Sequence, residues 1–261
     1  MALGISMVTF SDDPKLSFKA IQRELASKWP DLPNATDAGV ENNSLSFSLG
    51  SADVILGKIP APIPWSELEG PCATSILWPD AAKALQKHKT HLIVTVRGEL
   101  DPIALSRLLT QATASAMGAS PTALGVYWGN ATLVIPKEMF IDFAVEVLPH
   151  GPPLHIWVDF RVGNNDNGSS SGFTTGMTAL GHMEFETQNA TEPPGELRER
   201  FLSLAGYVVE NGPVINDGDT VGQDAKERIR VVYSNSAFGH EGKVMQFVYE
   251  KDSSKPWWKF W

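Results

Sequence analysis

Short runs in which apolar and polar residues alternate recur along this chain, and stretches with a helical spacing of apolar residues separate them. Residues 45–49 alternate strictly, a Gly-Ser turn pair follows, and residues 54–56 resume the apolar run, which predicts a β-hairpin with one solvated face. A predicted strand at residues 5–10 and a helix precede this hairpin, and a helix and a strand at residues 91–96 follow it. The first part of the chain therefore has the order strand, helix, hairpin, helix, strand.

The same order of elements then repeats. The strand at residues 91–96 leads into a long helix, for which Asp101 is the expected N-cap and Pro102 the first residue. A hairpin at residues 123–135, a helix and a strand at residues 154–162 complete the second cycle. Because this is the order of a split βαβ unit, we predict an α+β fold. Its antiparallel or mixed sheets would carry helices on one face, as two ferredoxin-like modules in one compact body.

The predicted organisation has three parts. Residues 1–98 form a first α+β module, residues 99–250 a second one, and residues 251–261 a tail without periodicity. Within the second module, ten Gly, Asn, Asp and Ser residues at 163–172 predict a mobile hairpin tip. A helix at residues 194–210 follows further along the chain.

Charge and composition limit the classes of partner. The chain has 261 residues, with 21 Lys and Arg against 30 Asp and Glu and a formal net charge of −9. This acidic balance argues against a nucleic-acid binder, which needs clustered basic residues. No stretch approaches the roughly 18 to 20 apolar residues of a membrane span, and no signal peptide is recognisable. The single Cys72 fits a reducing compartment, so we expect a cytoplasmic protein without stable membrane anchoring.

Several motifs resemble the uncharacterised bacterial DUF4261 family. They are Pro62-Ile63-Pro64-Trp65, Trp78-Pro79, residues 88–94, Gly125-Val126-Tyr127-Trp128-Gly129, Trp157-Val158-Asp159-Phe160-Arg161, Thr174-Thr175-Gly176, Gly181-His182-Met183-Glu184, Asn211-Gly212-Pro213 and Asp217-Gly218-Asp219-Thr220. The resemblance reaches to about Tyr249, makes the predicted module of residues 99–250 DUF4261-like, and excludes the tail. It implies no catalytic residue or cofactor, but by analogy it implies a protein that neutralises a toxin by binding it.

One candidate metal site stands on a predicted strand at residues 182–187. His182, Glu184 and Glu186 are two residues apart, so their side chains project from one face, where an imidazole and two carboxylates could hold a divalent cation. The simpler interpretation is the solvated face of an antiparallel strand. His88 and His91 lie at a helix-to-strand junction, where the helix dipole accounts for His88.

Two further groups are candidates for an interaction surface. Trp157, Asp159 and Arg161 alternate on the predicted strand at residues 154–162 and would form one wall of a pocket, although ion pairing between strands explains the charges equally well. Asp217 and Asp219 flank a glycine in a loop that lacks the remaining ligands of a calcium loop, which favours turn chemistry.

The C-terminal tail reverses the charge of the chain and concentrates its tryptophans. Three Lys and one Asp in residues 251–261 give 3 − 1 = +2, and the preceding residues give 18 − 29 = −11. Trp257, Trp258 and Trp261 also lie there. Such aromatic side chains favour docking onto the body or a partner over adsorption to a membrane, because stable anchoring usually takes two signals.

No nucleophile elbow, phosphate-binding loop or metalloprotease motif occurs in the sequence. We therefore expect a non-enzymatic protein-interaction module, immunity (antitoxin)-like by analogy, with a basic protein partner and no cofactor. Hairpins at sheet edges also leave a homodimer open. The competing hypothesis is a metal-dependent hydrolase or a small-ligand-binding protein that uses His182, Glu184 and Glu186.

Overall fold

The computed structural model describes residues 2–15, 17–222 and 227–249. The chain divides into two compact units. Unit 1 comprises Met1–Asp159 with Ala179–Gly181, and unit 2 comprises Phe160–Thr178 with His182–Trp261. One sheet of seven strands and one of six, each with helices, confirm the predicted α+β class. The ferredoxin-like character and the boundary between residues 98 and 99 stay predictions.

Unit 1 follows the predicted alternation closely. Its elements in chain order are β1 (Ala2–Phe10), α1 (Phe18–Lys28), β2 (Thr36–Glu41), β3 (Ser44–Leu49), β4 (Ala52–Ile59), α2 (Trp65–Ala73), α3 (Ala81–Leu85), β5 (Thr90–Gly98), α4 (Pro102–Gly118), β6 (Ala123–Trp128), β7 (Leu133–Pro136), α5 (Lys137–Asp142) and α6 (Leu154–Trp157). A π-helical turn, Phe143–Val147, extends α5. Both predicted hairpins are present, and the Asp101 carboxylate accepts a hydrogen bond of 2.8 Å from the Ala104 amide as the predicted N-cap of α4.

The sheet of unit 1 has the strand order β2-β3-β4-β5-β1-β6-β7, and all its neighbours run antiparallel. Helix α4 packs on one face against β1 and β5. Gly4 permits this close approach, because a Cβ there would lie 3.2 Å from the Leu109 side chain. The Ser6 and Thr113 hydroxyls also meet at 2.7 Å. Alternate residues of β1 therefore face α4, and the others face the opposite side of the sheet.

Short helices cover only one end of that opposite side. Residues of α2 and α3, among them Leu68, Cys72 and Leu85, form a buried cluster against which Met7 of β1 and Tyr127 of β6 pack. Nearer the start of β1, no helix in the described part of the chain covers the apolar residues: Leu3 is 59% exposed and Ile5 is 39% exposed. The two faces of this sheet are thus covered differently: α4 packs on one, and α2 and α3 cover one end of the other.

Unit 2 contains β8 (Asp159–Asn164), β9 (Ser170–Thr175), β10 (Phe185–Ala190), α7 (Pro194–Asn211), β11 (Thr220–Val221), β12 (Ile229–Asn235) and β13 (Lys243–Tyr249). Its sheet has the order β11-β12-β13-β10-β9-β8, in which β10 and β13 are parallel. Helix α7 packs on one face, where Phe201 meets Phe185 and Phe247 with ring centroids 6.1 and 5.7 Å apart. This aromatic cluster is the core of unit 2.

Three local predictions are wrong. Residues 154–162 do not form one strand, because α6 follows Pro153 and β8 begins only at Asp159. Strand β10 begins at Phe185 rather than at His182. Helix α2 begins at Trp65, directly after the proline-rich segment, where no helix was predicted. Within the described ranges, no helix is long and apolar enough to cross a membrane.

Candidate functional site

The predicted trio His182, Glu184 and Glu186 does not share one strand face. His182 and Glu184 precede β10, and only Glu186 lies within it. The expectation of a solvated strand face is wrong as well, because Glu184 is 5% exposed and Glu186 is fully buried. Burial lowers the pKa of His182. Among the residues that the structure describes, no group of three or more His, Cys, Asp or Glu side chains could hold a metal ion.

The Glu184 carboxylate organises the loop that follows β9. One of its oxygens accepts hydrogen bonds from the amides of Gly176 and Thr178, both at 2.9 Å. The other accepts from the Thr174 hydroxyl at 2.8 Å and from the Met177 amide at 3.2 Å. Four donors thus satisfy one buried carboxylate, and together they fix the backbone just after Thr175.

Glu186 lies on the face of the unit 2 sheet opposite α7. In the register it pairs with Phe173 of β9 and Gln246 of β13, while its neighbour Phe185 packs on α7. A carboxylate on that face is buried because the β12–β13 connection folds over it. The Ser236 hydroxyl, the Ala237 amide at 2.8 Å and the His240 Nδ1 at 2.9 Å all reach its oxygens.

The contact between Glu186 and His240 determines which ring nitrogen carries the proton. An ionised carboxylate only accepts hydrogen bonds, so Nδ1 of His240 donates to Glu186. In the neutral imidazole, Nε2 is then an acceptor. The Thr175 hydroxyl lies 3.2 Å from this Nε2 and can donate to it. The three side chains form a continuous chain from hydroxyl to imidazole to carboxylate.

Two aromatic rings flank this chain. Phe173 meets the His240 ring edge-on at a centroid distance of 5.5 Å and lies 4.9 Å from Phe238. Phe238 is 38% exposed, and Thr175 and His240 are half-buried. The hydroxyl and the imidazole are therefore within reach of solvent, beside an apolar surface.

The three hydrogen-bonded side chains, Thr175, His240 and Glu186, fall within one matched segment. Residues 173–248 match the family model DUF4261, a domain of unknown function. This segment of the chain is similar to that family. The match confirms the predicted resemblance for the C-terminal motifs, whereas the quoted motifs before residue 173 lie outside it. No curated protein and no solved structure matches the chain.

Glu186 is among the candidates that the sequence predicts, but its partners in the matched segment are not. Ser236 and His240 follow Glu186 by 50 and 54 residues, so no local motif connects them. The one available signal is the pair of glycines, Gly239 and Gly242, which marks a tight connection between β12 and β13. A turn of this kind is common and does not indicate chemistry by itself.

The set Trp157, Asp159 and Arg161 does not form the predicted pocket wall. Trp157 lies in α6, is 1% exposed, and donates its indole N–H to the Thr110 hydroxyl at 2.8 Å. Asp159 is buried and Arg161 is half-buried on β8. Trp157 is therefore a core residue of unit 1.

Asp217 and Asp219 have the predicted turn chemistry. Asp217 accepts a hydrogen bond from the Tyr233 amide at 2.8 Å, and Asp219 accepts one from the Asn216 amide at 2.7 Å. Gly218 between them has a φ of +88°, which few other residues adopt readily. Burial, with the two carboxylates as a smaller cause, raises the pKa of Tyr233.

Both histidines of the predicted helix-to-strand junction are buried and bind backbone. His88 Nε2 accepts from the Ile63 amide at 2.7 Å, and His91 Nδ1 donates to the Ala61 carbonyl at 2.8 Å. Burial lowers the pKa of His91. These contacts hold the proline-rich segment before α2. The tail with Trp257, Trp258 and Trp261 lies outside the described residues.

A second candidate surface belongs to unit 1. We define the open face as the part of its sheet that faces away from α4 and lies beyond α2 and α3: Leu3, Ile5, Asp53, Ile55, Thr95 and Arg97. The strand register places these side chains together on one side. Within the open face, Arg97 binds Asp53 at 3.0 Å. The Ser48 hydroxyl and then Arg97 lower the pKa of Asp53.

The open face continues into a depression of about 450 Å³ beside the edge strand β2. Its ionisable lining consists of Asp37, Glu41, Asp53 and Arg97, which carry three negative charges and one positive charge. The sum is 1 − 3 = −2, so the depression has the same sign as the whole chain. β2 is an edge strand of the sheet, and in the described part of unit 1 no strand pairs with its outer edge.

Proposed function

We propose that this protein is an interaction module that binds a basic protein through the open face of unit 1. The exposure of Leu3 and Ile5 carries the proposal. These residues lie on β1, which pairs with β5 along its whole length, whereas β6 pairs with β1 only between Met7 and Phe10. Leu3 and Ile5 are nevertheless exposed apolar side chains on a sheet face, and burial of such side chains is worth about 25 cal/mol per Å². A partner that covers them would gain this free energy.

The charge of the neighbouring depression supports a basic partner. Carboxylates of Asp37 and Glu41 border it, and Arg97 contributes the compensating charge only at Asp53. Opposite charges at the rim of an interface accelerate encounter and reject wrong partners, while apolar contacts at the centre supply most of the affinity. The open face has both parts side by side.

We place this role in the cytoplasm and give it an immunity-like character, in which binding neutralises a toxin. The single thiol supports the location, because Cys72 is free and buried. The net charge of −9 suits capture of a cationic protein. Both statements rest on the interaction proposal.

The test compares three forms of the full chain as bait in an extract of the source cells, at low and at high salt. The first is wild type, and the second carries Leu3→Asp and Ile5→Asp on the open face. The third carries Ile76→Asp, which places the same charge on an apolar residue that is 60% exposed outside that face. Retained proteins are identified by mass spectrometry, and the melting temperature of each bait is measured beforehand.

The proposal requires a basic protein that wild type and the Ile76→Asp variant retain and that the open-face variant does not retain. High salt should weaken the binding of this protein. Equal retention by all three baits would place the interface elsewhere. If the baits retain no protein, the proposal is wrong. A second copy of the chain as the retained partner, seen as a dimer by light scattering, would also contradict a basic partner.

A further inference from the structure

The connected side chains Thr175, His240 and Glu186 have a chemistry that a binding module does not need. The Thr175 hydroxyl lies 3.2 Å from Nε2 of His240, and Nδ1 of the same ring lies 2.9 Å from the buried Glu186 carboxylate. A nucleophile next to a base that a third group orients is the general arrangement for activating a hydroxyl. We propose that Thr175 in unit 2 is an activated nucleophile that accepts an acyl group from small activated esters.

Each residue has a separate task in this proposal. His240 Nε2 removes the proton from the Thr175 hydroxyl as general base. Glu186 is a positioning residue, since it holds the proton on Nδ1 and stabilises the imidazolium that forms. Ser236 and Ala237 donate to Glu186 as well, so the carboxylate keeps its orientation.

The reaction balances without a cofactor. The Thr175 oxygen forms a bond to the acyl carbon, its proton moves to His240, and the bond from the acyl carbon to the leaving oxygen breaks. The protonated His240 gives its proton to the departing oxygen. Water then attacks the acyl ester on Thr175, which releases a carboxylic acid and restores the hydroxyl. The exposed Phe238 ring beside the site offers an apolar surface for a small aromatic leaving group.

The same structure limits the rate. In acyl transfer, amide groups next to the nucleophile usually stabilise the oxyanion, and losing one such donor costs about 10²–10³ in rate. Here the amides of Gly176, Met177 and Thr178 already donate to Glu184. We therefore expect esters with a good leaving group to acylate Thr175. Hydrolysis of the acyl ester should then be slow, so turnover should not be rapid.

The test is acylation of the full chain by p-nitrophenyl acetate, with peptide mapping by mass spectrometry to locate the acetyl group. We expect acetylation at position 175 in wild type and in Thr175→Ser, which keeps the hydroxyl. We expect none at position 175 in Thr175→Val. His240→Gln should slow acetylation of Thr175 by about 100-fold or more, the size of a general-base contribution. Thr178→Val is the matched control, because Thr178 is exposed and its hydroxyl is not part of the Thr175, His240 and Glu186 set. It should leave acetylation of Thr175 unchanged.

A separate readout isolates the role of Glu186. Nitrogen NMR of histidine-labelled protein should show His240 with its proton on Nδ1 in wild type, and Glu186→Gln should shift this tautomer and slow acetylation together. If wild type acquires acetyl groups on lysines alone, or if His240→Gln reacts at Thr175 as fast as wild type, the proposal is wrong. Neither result bears on the open face of unit 1, so the two proposals fail separately.

Discussion

Replacement of Glu184 by alanine should destabilise unit 2 strongly, because one carboxylate satisfies four donors. The change would leave the amides of Gly176, Met177 and Thr178 and the Thr174 hydroxyl without this acceptor. An unsatisfied buried group costs about 1–3 kcal/mol. At the lower end of that range, the three buried donors, which are the Thr174 hydroxyl and the amides of Gly176 and Met177, give about 3 kcal/mol, a substantial part of the 5–15 kcal/mol that typically stabilises a domain.

Hydrogen exchange is the suitable assay, since a chain with two units need not unfold in one step. Amides 176–178 should exchange slowly in wild type and quickly in Glu184→Ala, and far-UV circular dichroism in urea should show an earlier transition. Glu210→Ala, at an exposed position near the end of α7, is the matched control and should change stability by less than about 0.5 kcal/mol. A loss below about 1 kcal/mol for Glu184→Ala would refute the assigned role of this carboxylate.

Three further predictions concern other parts of the chain. Gly125→Ala should destabilise unit 1 by about 1–3 kcal/mol or more, measured by tryptophan fluorescence in urea, because a Cβ would lie 2.4 Å from the Ile135 carbonyl oxygen and 2.5 Å from the Trp78 ring. Burial raises the pKa of Cys72, so its thiol should react with Ellman's reagent slowly in the native protein and rapidly in urea; equally fast reaction in both would contradict its burial. Burial and the hydrogen bond to Glu192 raise the pKa of Tyr249. Above about pH 10 the phenol ionises in the unfolded chain but stays protonated in the folded state, so the free energy of unfolding should fall as the pH rises. That fall should be shallower in Tyr249→Phe but not in Tyr207→Phe, which changes a half-exposed tyrosine.

The sequence predicts those elements whose signals are local. Asp101 and Pro102 mark the start of α4, and the alternation at residues 45–49 marks a hairpin, because caps and strand faces depend on neighbouring residues. Residues 154–157 have strand-like composition, but Pro153 precedes them and Trp157 bonds to Thr110, so tertiary contact selects a helical turn. Helix α2 contains Gly70 and Pro71, which weaken its helical pattern.

The candidate sites were less accessible to sequence reasoning than the fold. Alternation alone predicts that Glu186 is solvated, yet a distant connection between β12 and β13 covers it. Likewise, Leu3 and Ile5 have the pattern of covered strand residues, and only the positions of α2 and α3 reveal that they are exposed. Both sites depend on where separate elements pack, which periodicity does not encode.

Carbene footprinting of the full chain, alone and with the retained basic protein, tests the interaction proposal most directly. The reagent labels exposed side chains, so the isolated protein should be labelled at Leu3, Ile5, Ile76 and Tyr207. Upon addition of the partner, we expect labelling of Leu3 and Ile5 to fall while labelling of Ile76 and Tyr207 stays unchanged. Unchanged labelling of Leu3 and Ile5, with protection at another surface, would contradict the assignment of the open face as the binding site.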